Sequence, residues 1–186
     1  MTRINTLLHH KDFTEALHRL NELEADRIYC RHGLSHLLDT ARIACLLQYE
    51  QLEHYSQPAA LSQDLSTKNN QDTPSPVYKI ETELIYAAAL LHDLGRILQY
   101  EQNLPHETAG LPLAKKLLTD CGFTTSEQEL ILGSIQFHRN SKKDTAQNSL
   151  CTLLARADKL SRNCFACPAS DTCYWSEDKK NQGILW

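Results

Sequence analysis

His92 and Asp93 close the run Ala87-Ala88-Ala89-Leu90-Leu91-His92-Asp93-Leu94-Gly95-Arg96, where a core helix would ordinarily continue with aliphatic residues. A carboxylate buried without a partner is costly, so an imidazole and a carboxylate in such a place point to a bound cation. Other residues of the right chemistry flank them: His36 upstream, and His106, His138 and Asp158 downstream. His36 precedes Leu37 and Leu38, and Asp158 falls in Leu153-Leu154-Ala155-Arg156-Ala157-Asp158-Lys159-Leu160, again an acid within an apolar helix. Adjacent residues lie about 100° apart around a helix, so His92 and Asp93 can reach one ion only near an interface between helices. Two histidines and two carboxylates form a mixed nitrogen and oxygen site that suits Mn, Fe, Co or Zn better than Mg or Ca. His32, four residues before His36, competes with it, and Asp158 has Arg156 and Arg162 as rival partners.

The elements that must position these groups read as helices. Leu17, Leu20 and Leu23 recur at spacing three within 14–24, and Leu34, Leu37, Leu38, Ala41, Ala44 and Cys45 stripe 33–52. Helical signal resumes over about 80–98, with Gly95 marking a bend or an early end, and again over 106–118 before Cys121-Gly122. Thr125-Ser126-Glu127-Gln128 starts a helix running towards His138, and 149–162 is the last strong one. No alternating strand pattern appears, so the expected fold is all-α, a compact bundle of about six helices. Residues 57–76 lose periodicity and fill with Gln, Ser, Asn, Asp and Pro, which predicts a mobile loop inserted in one domain.

The 186 residues suffice for one domain with a real core. A formal charge of −4 disfavours an extended nucleic-acid surface. No apolar stretch reaches the roughly 20 residues that span a bilayer, and the polar start, Met1 to Phe13, does not read as a signal peptide, so a cytoplasmic location is expected. Oligomeric state is not readable from these features.

The order His36, His92-Asp93, Asp158 resembles the H…HD…D signature of the HD-domain superfamily of metal-dependent phosphohydrolases, and it spans most of the chain. His106 and His138 occupy the slots where several branches add two histidines, as in hydrolases of diadenosine tetraphosphate, cyclic-dinucleotide phosphodiesterases and di-iron oxygenases. The resemblance implies one HD domain over 1–186, binding one or two divalent transition ions, with iron or manganese favoured over zinc, cobalt or nickel. On that basis Asp93 bridges the ions, His36, His92 and Asp158 complete one, and His106 and His138 the other. The implied activity is hydrolysis of a phosphoester or phosphoanhydride of a nucleotide or related small molecule by metal-activated hydroxide. Arg96, three residues after Asp93, is the first choice for a cation that meets the phosphate, followed by Arg139 and Lys159. The alternatives are a di-iron oxygenase built on the same six ligands, and a non-catalytic nucleotide-binding regulatory module.

Seven cysteines remain to be explained. Cys45, Cys121 and Cys151 lie among aliphatics and read as small buried hydrophobes. Cys164-x2-Cys167-x5-Cys173 is a cluster in the tail, 163–186, which is expected to pack on the domain. Cys30 lies six residues before His36 and Cys164 six after Asp158. If those ligand helices run antiparallel, both cysteines fall about 9 Å along the axis from the metal, on one side. Cys30, Cys164, Cys167 and Cys173 are therefore candidate ligands of a second, structural site for zinc or an iron–sulfur cluster, with reduced, metal-free thiols as the alternative.

Overall fold

The computed structural model describes residues 1–56, 79–139 and 149–184, with side chains left out at 54–56 and 149. The inserted loop expected over 57–76 lies outside the described residues. Helices account for the regular structure, and no strand occurs among the described residues. In order they are α1 (Thr2–Leu8), α2 (Lys11–Leu23), α3 (Leu34–Ser56), α4 (Thr82–Leu91), α5 (Arg96–Gln102), α6 (His106–Ala109), α7 (Leu111–Asp120), α8 (Thr125–Phe137) and α9 (Ser149–Leu160), followed by three single turns of 3-10 helix. None of them is long and apolar enough to cross a membrane.

The all-α bundle expected from periodicity is what forms, with more and shorter segments. α4 is the central helix: Leu84, Ile85 and every residue from Ala87 to Leu91 are buried. A helix apolar all round must be covered on all sides. α3, α8, α9 and α1 pack against it, and α3 also lies along α9. Gln48 ties α3 to the approach to α4, its amide donating to the Ile80 carbonyl at 3.0 Å and accepting from the Ile80 N–H at 2.7 Å. α8 opens on a capping box between Thr124 and Glu127, and Gly122 at φ 78° ends α7 in the left-handed conformation.

α1 was not expected, since 1–13 reads as polar. It is held because Ile4 and Leu7 are buried and because Arg3 reaches two other helices. Its Nε donates to Glu83 at 2.7 Å, its Nη1 to Glu127 at 2.8 Å, and its guanidinium lies 4.2 Å from the Phe123 ring centroid. These partners are far away in sequence, so no local pattern announces them.

The helical signals over 80–98 and 106–118 are each interrupted. α4 stops at Leu91, a turn carries His92-Asp93-Leu94-Gly95, and α5 restarts at Arg96; α6 and α7 divide at Gly110. The two breaks touch. A Cβ on Gly95 would lie 2.1 Å from the His106 carbonyl oxygen and 2.6 Å from the Gly110 nitrogen, and one on Gly110 would lie 2.8 Å from the Gly95 nitrogen. Backbone meets backbone at these two glycines, and that approach brings the turn bearing Asp93 against the helix start bearing His106.

Between α2 and α3 the chain is secured by Glu24, which is buried. Its carboxylate accepts the His32 backbone N–H at 2.6 Å, His32 Nδ1 at 2.6 Å and the Tyr100 hydroxyl at 2.5 Å. Burial resists ionisation, yet these donors bring the Glu24 carboxyl down to about 2. A carboxyl whose pKa is depressed in the folded state adds stability above its unfolded value, about 4.5, and that contribution disappears as pH falls towards 2. Glu24→Gln is expected to destabilise the protein by on the order of 3 kcal/mol at neutral pH. In urea titrations across pH, the gap from the wild type should stay level above about pH 5 and close towards pH 2.

Candidate metal centre

Five helix ends meet at one point. His36 is in the first turn of α3, His92 caps the C-terminus of α4 with Asp93 next to it, His106 opens α6, His138 caps the C-terminus of α8, and Asp158 is in the last turn of α9. The C-terminal ends of α4, α8 and α9 carry partial negative charge, a field that favours a cation.

His36, His92, Asp93 and Asp158 form one group in which a ligand atom from each lies within 4.8 Å of the others, and Asp93, His106 and His138 form a second. His36 Nε2 is 3.3 Å from Asp93 Oδ2 and 3.4 Å from Asp158 Oδ1, and His92 Nε2 is 3.2 Å from Asp93 Oδ2 and 3.9 Å from Asp158 Oδ1. On the other side of the carboxylate, His106 Nε2 is 3.5 Å from Asp93 Oδ1. Ligands about 2.0–2.2 Å from a common ion are about 3.0–3.6 Å from one another, a range that holds every one of these separations except His92 to Asp158. None of the close approaches is a hydrogen bond. His36 Nε2, His92 Nε2, Asp93 Oδ2, Asp158 Oδ1 and both ring nitrogens of His106 are buried without a hydrogen-bond partner. Isolated, unsatisfied buried polar atoms are rare. Here they converge, and a divalent ion satisfies them together.

The outer nitrogens show which tautomers are presented. His92 Nδ1 lies 2.7 Å from the Ala89 carbonyl and His138 Nδ1 2.6 Å from the Ile135 carbonyl. A carbonyl can only accept, so each Nδ1 carries a proton and Nε2 is the ring atom turned towards the site. Burial lowers the His92 pKa, but the Asp93 carboxylate beside it outweighs burial and raises it. His36 is set in the same way through Ser161. The Ser161 hydroxyl donates to the Asp158 carbonyl at 2.8 Å, leaving its oxygen to accept from His36 Nδ1 at 3.1 Å. Sequence reasoning missed Ser161; its legible signal is a small hydroxyl residue three positions after Asp158, where a helix brings side chains to one face.

The two carboxylates are held from behind. Arg96 Nε donates to Asp93 Oδ1 at 2.7 Å, and Arg162 donates to Asp158 Oδ2 at 3.3 Å, while Asp93 Oδ2 and Asp158 Oδ1 stay without a hydrogen-bond partner on the side of His36 and His92. Burial opposes ionisation of Asp93, but the His92 ring and the Arg96 guanidinium keep it well below the usual carboxylate range. Asp158 is likewise lowered against burial, by His92 and Arg162. Burial, then Arg96, pushes His106 down to about 4, and burial with His92 lowers His138. Both are neutral at physiological pH, as ligation requires.

The other candidates fare differently. Arg139 is exposed and pairs with Glu107 at 3.4 Å, and Lys159 is exposed. His32 is buried beside His36, ring centroids 5.4 Å apart, with its Nδ1 turned to Glu24.

A family model described as HD domain matches residues 33–163, the stretch that carries all six candidate histidine and aspartate ligands. The chain belongs to the HD domain family. The family is that of the metal-dependent phosphohydrolase superfamily. This HD protein is 34% identical over the full length of both chains to an uncharacterized protein of Clostridium beijerinckii. It is also 30% identical over 105 residues, 56% of this chain but 10% of the relative, to a bifunctional uridylyltransferase/uridylyl-removing enzyme of Rhodopseudomonas palustris. No solved structure matches it.

Removing a partner that orients a metal-bound histidine typically weakens metal affinity about 10–100-fold. Ser161→Ala should therefore lower affinity for manganese or iron about tenfold in competition titrations, without loss of helical content by circular dichroism. Unchanged affinity would show that Ser161 does not set the His36 ring.

Proposed function

We propose that this HD protein is a metal-dependent phosphohydrolase that cleaves a phosphoester or phosphoanhydride in a nucleotide or a related small molecule. The observation that carries the reading is the convergence of unpartnered histidine Nε2 atoms on both oxygens of Asp93, with the unpartnered Oδ1 of Asp158 beside His36 and His92. Its two oxygens face different groups, Oδ2 towards His36 and His92 and Oδ1 towards His106, which favours a binuclear centre with Asp93 as the bridge. The nucleotide class draws support from the relative whose name includes removal of a uridylyl group.

Bound divalent ions would supply hydroxide at neutral pH and clamp the phosphate oxygens. The chain's own residues account for the rest. His36, His92 and Asp158 would hold one ion, and His106 and His138 the other. Ser161 and the Ala89 and Ile135 carbonyls fix the ring orientations. Arg96 keeps Asp93 ionised, and its guanidinium nitrogens beyond Nε provide positive charge for the equatorial oxygens of the transition state. The buried surroundings exclude bulk water and strengthen each of these interactions.

The test is turnover by metal-loaded protein under strictly anaerobic conditions on a panel of nucleotides and phosphodiesters, beside Asp93→Ala. Phosphate or nucleotide release without oxygen, falling at least 1,000-fold in Asp93→Ala (about 4 kcal/mol of barrier), is the expected result. Product formation only with oxygen would assign the same ligands to an oxygenase. Nucleotide binding without turnover would make the protein a regulatory module. Either result overturns the hydrolase reading.

A further inference from the structure

The tail after α9 is ordered without a core of its own. From Asn163 to Ile184 the buried residues are Lys180 and Asn181, both polar. Phe165 and Tyr174 are exposed, and Ile184 is 72% exposed; Leu185 and Trp186 lie outside the described residues. Its regular structure is limited to single 3-10 turns at Cys164–Ala166, Ser170–Thr172 and Glu177–Lys179. Short segments with too little apolar burial are commonly stabilised by a cross-link or a metal.

Polar contacts bring this tail back over the start of α3. The Asn181 amide donates to the carbonyls of Lys159 at 2.8 Å and Arg162 at 2.8 Å, closing the open end of α9. The Tyr29 hydroxyl donates to the Thr172 carbonyl at 2.9 Å, and the Tyr29 ring meets Tyr174 edge-on with centroids 6.2 Å apart. Arg162, which backs Asp158, stacks on Trp175 with 4.0 Å to the ring centroid. Tyr29 precedes Cys30, while Thr172 and Tyr174 flank Cys173, so these contacts bring together cysteines 143 residues apart (173 − 30).

Cys30, Cys164, Cys167 and Cys173 all line one cavity of about 850 Å³. None forms a disulfide. Neither Cys30 nor Cys164 lies on an α-helix, so they do not meet by the helical ladder expected from sequence; the loop before α3 and the 3-10 turn after α9 deliver them. The same cavity is lined by Arg27, Arg31, Arg162 and Lys180, a surplus of positive charge over its Asp26 and Asp39 that suits an anionic thiolate-bound centre. Burial pushes the Cys30 thiol up, Arg162 opposes this, and Cys164, Cys167 and Cys173 each raise it further.

Spacing separates the two chemistries that four thiolates serve. One tetrahedral zinc at about 2.3 Å from each sulfur holds the sulfurs about 3.8 Å apart. Among the described residues the groups whose ligand atoms converge within 4.8 Å are the two histidine–aspartate sets, and the cysteines are not among them. Any three of the four therefore include a pair of sulfurs more than 4.8 Å apart, wider than one zinc allows. A cubane iron–sulfur cluster asks for that, because each thiolate binds a different iron and the four stand farther apart.

We propose that Cys30, Cys164, Cys167 and Cys173 ligate a four-iron, four-sulfur cluster that fastens the tail to the start of α3. The cavity also touches His36 and Ser161, so the cluster is a second centre directly beside the histidine–aspartate one, with Arg162 reaching both.

The deciding measurement is acid-labile sulfide with iron and zinc content, on full-length protein purified without oxygen, beside Cys167→Ser and His92→Ala. Sulfide belongs to a cluster and not to a histidine–aspartate site, so the two centres are read separately. The expected result is about four sulfides per chain in the wild type and in His92→Ala, and loss of sulfide in Cys167→Ser. If Cys167→Ser does not fold, the wild type and His92→Ala still decide. Zinc without sulfide in the wild type would overturn the cluster, as would absence of sulfide after anaerobic reconstitution with iron and sulfide.

Discussion

Burial of the Asp93 carboxylate is the constraint on which the rest of this molecule turns. It sits at the end of the most apolar helix, where an uncompensated charge would cost several kcal/mol. The protein answers with two kinds of partner. Arg96 takes Oδ1, while Oδ2 faces the Nε2 atoms of His36 and His92, which are buried without a hydrogen-bond partner. With those nitrogens neutral, a lone pair would face a carboxylate oxygen and repel it, and a divalent cation between them would turn the same geometry into coordination, in keeping with the HD-domain pattern.

The fold serves this by ending helices rather than by running them past one another. Ligands at α4, α8 and α9 are at or near C-termini, where carbonyls left without intrahelical partners are available to orient the imidazoles. The His92 and His138 rings use the carbonyls of Ala89 and Ile135 in the same three-residue relationship. The Gly95–Gly110 contact adds His106 to the set, because only two residues without side chains allow the α4–α5 turn to approach α6 so closely.

Arg162 couples the centre to the tail. One face of its guanidinium covers Trp175, and its Nη2 meets Asp158. Any group held by the neighbouring cysteines thus acts on the carboxylate through one side chain, and the ordering of the tail and of α9's last turn are parts of one arrangement.

Much of this was legible in the chain itself. Apolar periodicity determined that the protein is helical, and the ionisable residues interrupting apolar runs at His92, Asp93 and Asp158 marked candidate ligands, because an unpaired buried charge is too costly to be incidental. The short spacing of Cys164, Cys167 and Cys173 also marked that group. What required the tertiary structure is what depends on contacts between distant segments: α1 held by Arg3, the break at Gly95, the hydroxyl of Ser161 behind His36, and the loop that carries Cys30 to the tail. Local sequence sets which face of a helix is apolar. The tautomer of an imidazole, the free oxygen of a carboxylate and the partner of a lone thiol are set by atoms that arrive from elsewhere in the chain, and only the folded packing decides them.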